Sequence, residues 1–386
     1  MKKIYFVVLG IVFGLSIFGC GRSENSTTRL TNTSYKPKGG GSVDFKIIAK
    51  NNTLLDKEGN YKDSGHYSIL YQAKEAKSGV PISGLDHDEF YTMYENSRQI
   101  DESVFRVSQD RKTVTNKILL LLDFSGSIVS DCDKADANTN PSNLCYQIVS
   151  SSQKFIDTIV SKNQTMAIYY FNSKRKPIPL SDNADPTDDI SKLKSSLENL
   201  YDSSWRDENL KGFNSTNLYG AIKVAADEVV CRWFQDCIPG KRSELTDAAK
   251  NNDFDFATLV VFTDGKHTVG NNISESELLN DLGLYKRNYY YTIGLGKNVD
   301  DSVLKKIGKD GYLKADQTDR LNEQFDSLGE RLNSFANSFY RIDYCPAQQS
   351  GVLGLKFDMH DKQRGYHGVI EDRVRLLDDI DFRCDL

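Results

Sequence analysis

The central part of the chain alternates between two patterns of hydrophobic and polar residues. Short, almost wholly apolar runs are typical of strands buried on both faces, and longer stretches carry apolar residues at helical spacing. We predict strands at 117–123, 165–172, 257–263, 289–295 and 311–314, and helices at 146–162, 188–200, 217–235, 274–285 and 318–338. This alternation predicts an α/β fold, doubly wound, with a parallel sheet covered by helices on both faces.

The segments on either side, 44–115 and 339–386, have a β-like pattern. Short alternating or aromatic runs are separated there by Gly and Asp clusters. The C-terminal segment alone offers only three strands, which would be marginally stable. We therefore expect it to pair with the N-terminal segment in one β-sandwich, with the α/β domain at 116–338 inserted between them.

The N-terminus has the features of an export signal. Lys2 and Lys3 precede a short apolar stretch that ends at Gly19-Cys20, and residues 17–20 resemble a bacterial lipobox. We expect residues 1–19 to be a lipoprotein signal peptide and Cys20 to be lipidated. A buried N-terminal strand with a free cysteine is the alternative. An Asp directly after the lipidated Cys would suggest retention in the inner membrane, but residue 21 is Gly. The outer membrane or cell surface of a bacterial envelope is therefore the favoured location.

The segment 20–43 and the overall composition narrow the function further. That segment is rich in Ser, Thr, Asn, Gly and Lys, and we expect a flexible tether. A net charge of −5 argues against nucleic acid as a partner. The sequence has no G-x-x-x-x-G-K-[ST] motif, so we expect no nucleotide.

Six of the seven cysteines remain once Cys20 is assigned to the lipid. An even number in an exported chain suggests disulfides, although six cysteines allow 15 connectivities. Proximity favours three pairs: Cys132–Cys145, Cys231–Cys237 and Cys345–Cys384. A zinc site is the rival interpretation, but no C-x-x-C spacing supports it.

Five oxygen-bearing residues are expected to meet at the carboxyl edge of the parallel sheet, where such folds bind ligands. Asp123 ends one predicted strand and Ser125 and Ser127 come just after it, Asp264 follows another, and Thr216 lies in a loop that opens into a helix. Carboxylate and hydroxyl oxygens suit Mg²⁺, Mn²⁺ or Ca²⁺. An ordinary Ser-rich turn with an unrelated Thr and Asp is the alternative.

At these residues the chain resembles the von Willebrand factor A (VWA) family, whose metal-ion-dependent adhesion site (MIDAS) has the pattern D-x-S-x-S, then T, then D. All five positions are matched: Asp123, Ser125, Ser127, Thr216 and Asp264. The resemblance implies a Rossmann-like fold, a bound Mg²⁺ or similar cation, and capture of an acidic side chain, Asp or Glu, of a partner protein. It implies direct binding of the cation by the serines and often by Thr216, with the aspartates acting mostly through water.

Two loops flank the predicted site, and one of them carries candidate partner-binding residues. Trp205, Arg206 and Phe213 precede Thr216, and aromatic and Arg side chains are common anchors of interfaces. Local packing of Trp205 is the alternative. His267 could contact a ligand, although local hydrogen bonds are the more ordinary role for a loop histidine.

The predicted function is therefore binding and not catalysis. Nothing near the site resembles a general base, and H-E-x-x-H and G-x-S-x-G are absent. We expect a membrane-anchored adhesion-type lipoprotein. The alternative is an envelope scaffold or assembly lipoprotein in which the metal is structural.

Overall fold

The structure is a computed structural model, and it describes residues 40–51, 54–55, 61–62, 67–100, 105–109, 114–161, 163–174, 176–180, 184–210, 212, 215–234, 254–269, 273–285, 288–297, 299–315, 320–345 and 351–376. Several predictions fall outside these residues, namely those for 1–19, Cys20, Phe213, Cys237 and Cys384. Within the described ranges, no helix is both long and apolar enough to cross a membrane.

The strands divide into those that precede, form and follow the central α/β part. In chain order they are β1 (Gly41–Asn51), β2 (Leu54–Leu55), β3 (Tyr61–Lys62), β4 (Tyr67–Glu75), β5 (Tyr91–Glu95), β6 (Arg98–Gln99), β7 (Phe105–Gln109), β8 (Val114–Asp123), β9 (Gln164–Phe171), β10 (Ile178–Pro179), β11 (Phe254–Thr263), β12 (Asn288–Leu295), β13 (Gly311–Ala315), β14 (Phe339–Tyr344), β15 (Gly351–Asp361) and β16 (Tyr366–Leu376).

The α-helices of the described residues all lie in the central part. They are α1 (Gly126–Cys132), α2 (Leu144–Ile159), α3 (Ile190–Glu198), α4 (Ser203–Asn209), α5 (Leu218–Val224), α6 (Glu275–Leu282), α7 (Asp301–Ile307) and α8 (Leu321–Ala336). Helix α5 continues through a π-helical turn, Ala225–Val230, and a 3₁₀ turn, Cys231–Trp233. Two more 3₁₀ turns are Asp88–Phe90 and Asn199–Tyr201.

The central sheet confirms the predicted α/β class. Its six strands lie in the order β10-β9-β8-β11-β12-β13. All neighbours pair in parallel except β10, which is antiparallel to β9. Strands β8 and β11 are the two middle strands, and helices cover both faces of each. Their central runs, 118–122 and 259–262, are wholly apolar.

Helices cover both faces of this sheet because alternate side chains of a strand point in opposite directions. Leu120 of β8 belongs to one buried cluster, which α2, α3 and α8 complete. Leu121 belongs to the cluster on the other face, which α5, α6 and α7 complete. The sheet is therefore doubly wound, as predicted. The last helix, α8, buries five apolar residues at helical spacing: Leu321, Phe325, Leu328, Leu332 and Phe335.

Strands from both ends of the chain share a second sheet of eight strands, in the order β6-β5-β15-β16-β1-β4-β14-β7. Phe105 of β7 and Phe357 of β15 are five strand spacings apart in this order, which is about 24 Å in a flat sheet. Their ring centroids are only 6.0 Å apart. The sheet therefore folds back on itself around a buried core. The β-sandwich remains a prediction, since this is one continuously paired sheet.

The two sheets meet at a small apolar cluster, here called the junction cluster: Leu70, Val114, Phe256, Phe335 and Phe339. Phe256 stacks on Phe339 with ring centroids 5.0 Å apart, and Phe335 packs edge-on against Phe339 at 5.2 Å. Because Val114 begins β8 and Phe256 lies near the start of β11, the junction cluster lies at the amino-terminal edge of the six-stranded sheet.

Candidate functional site

Asp123 is the last residue of β8 and is fully buried. Its Oδ1 accepts a hydrogen bond from the backbone N–H of Ser125 at 2.9 Å. Its Oδ2 accepts one from the Thr263 hydroxyl at 2.6 Å. Thr263 ends the neighbouring strand β11, so this bond ties together the carboxyl ends of the two middle strands. Thr263 has no place in the predicted motif, and its only sequence signal is its position at a strand end beside Asp264.

Ser125 and Ser127 bracket the start of α1. Ser125 is buried and occupies the N-cap position, but its side chain makes no capping hydrogen bond. Its hydroxyl faces that of Ser127 instead, with the two Oγ atoms 3.3 Å apart. The far end of α1 is fixed by a disulfide between Cys132 and Cys145, the second residue of α2. The predicted pairing of these two cysteines is therefore present.

Thr216 and Asp264 come together through the loop after β11. Thr216 is buried, and a Cβ atom added to Gly265 would lie 3.4 Å from its Oγ1. The Thr216 N–H donates to the Thr268 hydroxyl at 2.9 Å, and the Thr268 N–H donates back to the Thr216 carbonyl at 3.0 Å. Thr268 was missed by the sequence motif, because nothing in its own surroundings marks it as a partner of Thr216.

The two carboxylates of the site have no positively charged partner among the described residues. Burial and the neighbouring Asp264 raise the pKa of Asp123 to about 7, against the hydrogen bonds from Thr263 and Ser125. Burial also raises the pKa of Asp264, although its interaction with the Ser127 hydroxyl lowers it. Neither carboxylate forms an ion pair with a described residue.

The donor set fits a hard divalent cation. Oδ1 of Asp264 is buried and has no hydrogen-bond partner among the described residues, a costly arrangement unless another group satisfies it. Three hydroxyls accompany the two carboxylates, and Mg²⁺, Mn²⁺ and Ca²⁺ prefer such oxygen ligands. In the described part of the chain, no group of three or more His, Cys, Asp or Glu side chains could hold a metal ion. This site is of another kind, since most of its donors are hydroxyls.

Two of the predicted partner-binding residues, Trp205 and Arg206, lie in helix α4 and not in a loop as expected, and both make contacts inside the protein. Arg206 is buried, donates to Asp133 Oδ1 at 3.0 Å and donates to the Leu200 carbonyl at 2.7 Å. Trp205 is half-buried and packs edge-on against Tyr170 at 5.9 Å. Recognition of a partner by these two residues stays a prediction.

His267 makes the local contacts that are ordinary for a loop histidine. Its ring stacks on Tyr219 with centroids 4.1 Å apart, and its Nδ1 accepts a hydrogen bond from the Tyr219 N–H at 3.4 Å.

Two further cysteines, Cys231 and Cys345, are also disulfide-bonded, and their partners lie outside the described residues. The predicted pairs Cys231–Cys237 and Cys345–Cys384 therefore stay predictions.

Comparison with known proteins gives only distant similarities. No family model matches the sequence, and no curated protein matches it. Similar solved structures include a von Willebrand factor type A protein from Catenulispora acidiphila, with 10% identity, coverage of 89% of this chain and 75% of that one, and a TM-score of 0.42. Another is the ArnB paralog VWA2 from Sulfolobus acidocaldarius, with 12% identity, 86% and 74% coverage, and a TM-score of 0.37.

A third similar structure is proximal thread matrix protein 1 from the mussel byssus, in a form with a zinc-occupied MIDAS motif. It has 14% identity and a TM-score of 0.39, and the match covers 63% of this chain and 50% of the mussel protein. The chain thus spans half the length of that protein. The TM-scores of these three structures lie between 0.37 and 0.42, so the similarities are distant.

Proposed function

We propose that this protein is a VWA-type, metal-dependent binding protein that captures an acidic side chain of a partner protein. The observation that carries the proposal is the buried Oδ1 of Asp264, which lacks a hydrogen-bond partner among the described residues, beside a second buried carboxylate and three hydroxyls. A divalent cation would neutralise both carboxylates and satisfy this oxygen.

The five residues would bind the cation in two ways, directly or through water. Ser125, Ser127 and Thr216 are neutral donors for direct ligation, while Asp123 is already held by bonds from Thr263 and Ser125 and is suited to act through water. When bound, the cation supplies a coordination position that attracts a carboxylate. A site whose direct ligands are neutral leaves more of the cation's charge for the partner, so the arrangement favours recognition of Asp or Glu.

The proposal includes attachment to a bacterial envelope through a lipid on Cys20, with the tether predicted at 20–43 ending where β1 begins, at Gly41. Its support is the sequence of the N-terminus. A scaffold or assembly lipoprotein with a structural metal is the alternative, and chelation distinguishes the two. If chelation releases the partner while the protein stays folded, capture by the cation is supported. If chelation unfolds the protein, a structural metal is supported.

Cation binding is tested by calorimetry with Mg²⁺ and Mn²⁺. Ser127→Ala should weaken affinity at least about tenfold, because it removes one donor. Ser130→Ala is the matched control, since Ser130 is another exposed serine of α1. This variant should bind the cation with the affinity of the wild type. Equal affinity in both variants would remove the metal assignment.

Partner capture is tested by crosslinking on intact cells, with and without chelator, for the wild type and Ser127→Ala. We expect crosslinked species that disappear with chelator and are reduced in the variant. Species that persist unchanged under both conditions would contradict metal-dependent capture.

A further inference from the structure

The ring of His267 is fixed in both position and orientation. It lies parallel to the ring of Tyr219, with an interplanar angle of 10° and centroids 4.1 Å apart. The hydrogen bond from the Tyr219 N–H to Nδ1 sets its rotation about the stacking axis. A side chain held by both a stacked ring and a directional bond loses little further freedom when it contacts a ligand, so contacts made by it are preorganised.

The hydrogen bond at Nδ1 also determines where the imidazole proton lies. Because Nδ1 accepts a hydrogen bond, a neutral ring carries its single proton on Nε2. Burial lowers the pKa of His267, which favours this neutral form. Among the described residues, Nε2 has no hydrogen-bond partner. His267 therefore offers one unused N–H donor in a fixed direction.

This donor belongs to the same hydrogen-bonded unit as the metal-site residues. The loop after Asp264 is joined to Thr216 by the N–H groups of Thr268 and Val269, which both donate to the Thr216 carbonyl at 3.0 and 3.3 Å. His267 directly precedes Thr268, and Tyr219 follows Thr216 by three residues. Tyr219 and His267 thus belong to the same two segments that contain Thr216 and Asp264.

A carboxylate has two oxygens, and a cation that binds one of them leaves the other in need of a donor. We propose that the Nε2–H of His267 donates to the second oxygen of the partner's carboxylate. This inference rests on the proposed function, since the first oxygen requires the cation. The pairing would make the site selective for carboxylates over ligands with a single oxygen, such as hydroxyls or water.

The test uses the full-length chain loaded with Mn²⁺ and acetate as the probe carboxylate. Paramagnetic relaxation of the acetate methyl protons reports its distance from the cation and its affinity. Two substitutions separate the nitrogens: the amide of His267→Gln reaches the position of Nε2, whereas His267→Asn reaches only that of Nδ1. We expect His267→Asn to weaken acetate about tenfold, as for loss of a hydrogen bond to a charged group. His267→Gln should weaken it less than threefold, and Lys266→Gln, a change at the exposed neighbour, should retain at least a third of the wild-type affinity.

The outcomes distinguish the two proposals. If the wild type does not bind Mn²⁺, the proposed function and the role of His267 both fail. If Mn²⁺ binds and acetate affinity is the same in His267→Asn as in the wild type, only the role of His267 is overturned.

A second measurement needs no variant. In the Mg²⁺-loaded wild type, the ¹⁵N spectrum of the imidazole should show the proton on Nε2 and a shift of that resonance with acetate. A resonance that does not respond to saturating acetate also overturns the role.

Discussion

Replacing Asp123 with asparagine should stabilise the metal-free protein. The substitution removes a buried charge while keeping the shape of the side chain. The Ser125 N–H can still donate to Oδ1. The new amide can donate to the Thr263 hydroxyl, which lies 3.2 Å from the Gly265 carbonyl and can turn its own proton there. Asp123→Asn therefore leaves no buried polar atom without a partner in this network.

The size of the effect follows from the pKa of Asp123. A folded value of about 7 against the ordinary 3.8 corresponds to on the order of 4 kcal/mol of destabilisation once the carboxylate is ionised. The folded state holds a proton that the unfolded state has released between these two pH values. The free energy of unfolding of the wild type therefore falls as the pH rises from 3.8 to about 7. That of the variant does not, because asparagine does not titrate. We expect a gain of about 2 to 4 kcal/mol for the variant near pH 8, and much less near pH 4.

Thermal unfolding in EDTA measures this gain, with Asp188→Asn as the control because Asp188 is exposed. For a domain of this size, Asp123→Asn should raise Tm by about 5 to 10 °C near pH 8. Mg²⁺ at a hundred times its Kd should add about 2.7 kcal/mol to the wild type and much less to the variant. A variant that is less stable than the wild type in EDTA would refute the electrostatic reasoning, and equal stabilisation by Mg²⁺ would refute the metal site.

Three further predictions concern the disulfide, the junction and the anchor. Replacing Cys132 and Cys145 with serine should cost about 3 kcal/mol and weaken Mg²⁺ binding, because the bond closes a short loop at the end of α1; an unchanged Tm would contradict this. Phe335→Ala should cost about 3 to 5 kcal/mol in urea unfolding, since Phe335 is buried in the junction cluster, and a loss below 1 kcal/mol would show that the cluster collapses to fill the space. Cys20→Ser should move the protein from membrane to soluble fractions with the same Mg²⁺ affinity, and membrane retention would place the anchor elsewhere.

The strands that carry the site could be predicted from the sequence because they are buried on both faces. Predicted strands 117–123 and 257–263 correspond to β8 and β11, and each ends where it was expected to end. Each begins three residues earlier than predicted. In β8 those first residues alternate between buried and half-buried, and Val114 is buried against the second sheet. No local pattern indicates such a contact, since the packing partner comes from a distant segment.

Three short helices, α1, α4 and α7, were not predicted. Each has seven residues, too few for an apolar face to repeat. Two of them begin with an aspartate that accepts hydrogen bonds from their first N–H groups, Asp202 before α4 and Asp300 before α7. An aspartate at the N-cap was the sequence signal from which these two helices could have been predicted. The burial of Arg206 had no such signal, because its partner Asp133 is 73 residues away in sequence.

The positions of the two sheets bear directly on the proposed function. The two aspartates of the proposed metal site lie at the carboxyl ends of β8 and β11, whereas the junction cluster lies at the other ends of these strands. Strand β8 has ten residues, so the site is separated from the junction by about 30 Å. The predicted tether leads into β1, which is a strand of the eight-stranded sheet. A cation at the site would therefore lie at the end of the α/β part opposite the sheet that the tether joins. That is where a lipid-anchored protein would need its recognition site if the partner approaches from outside the membrane.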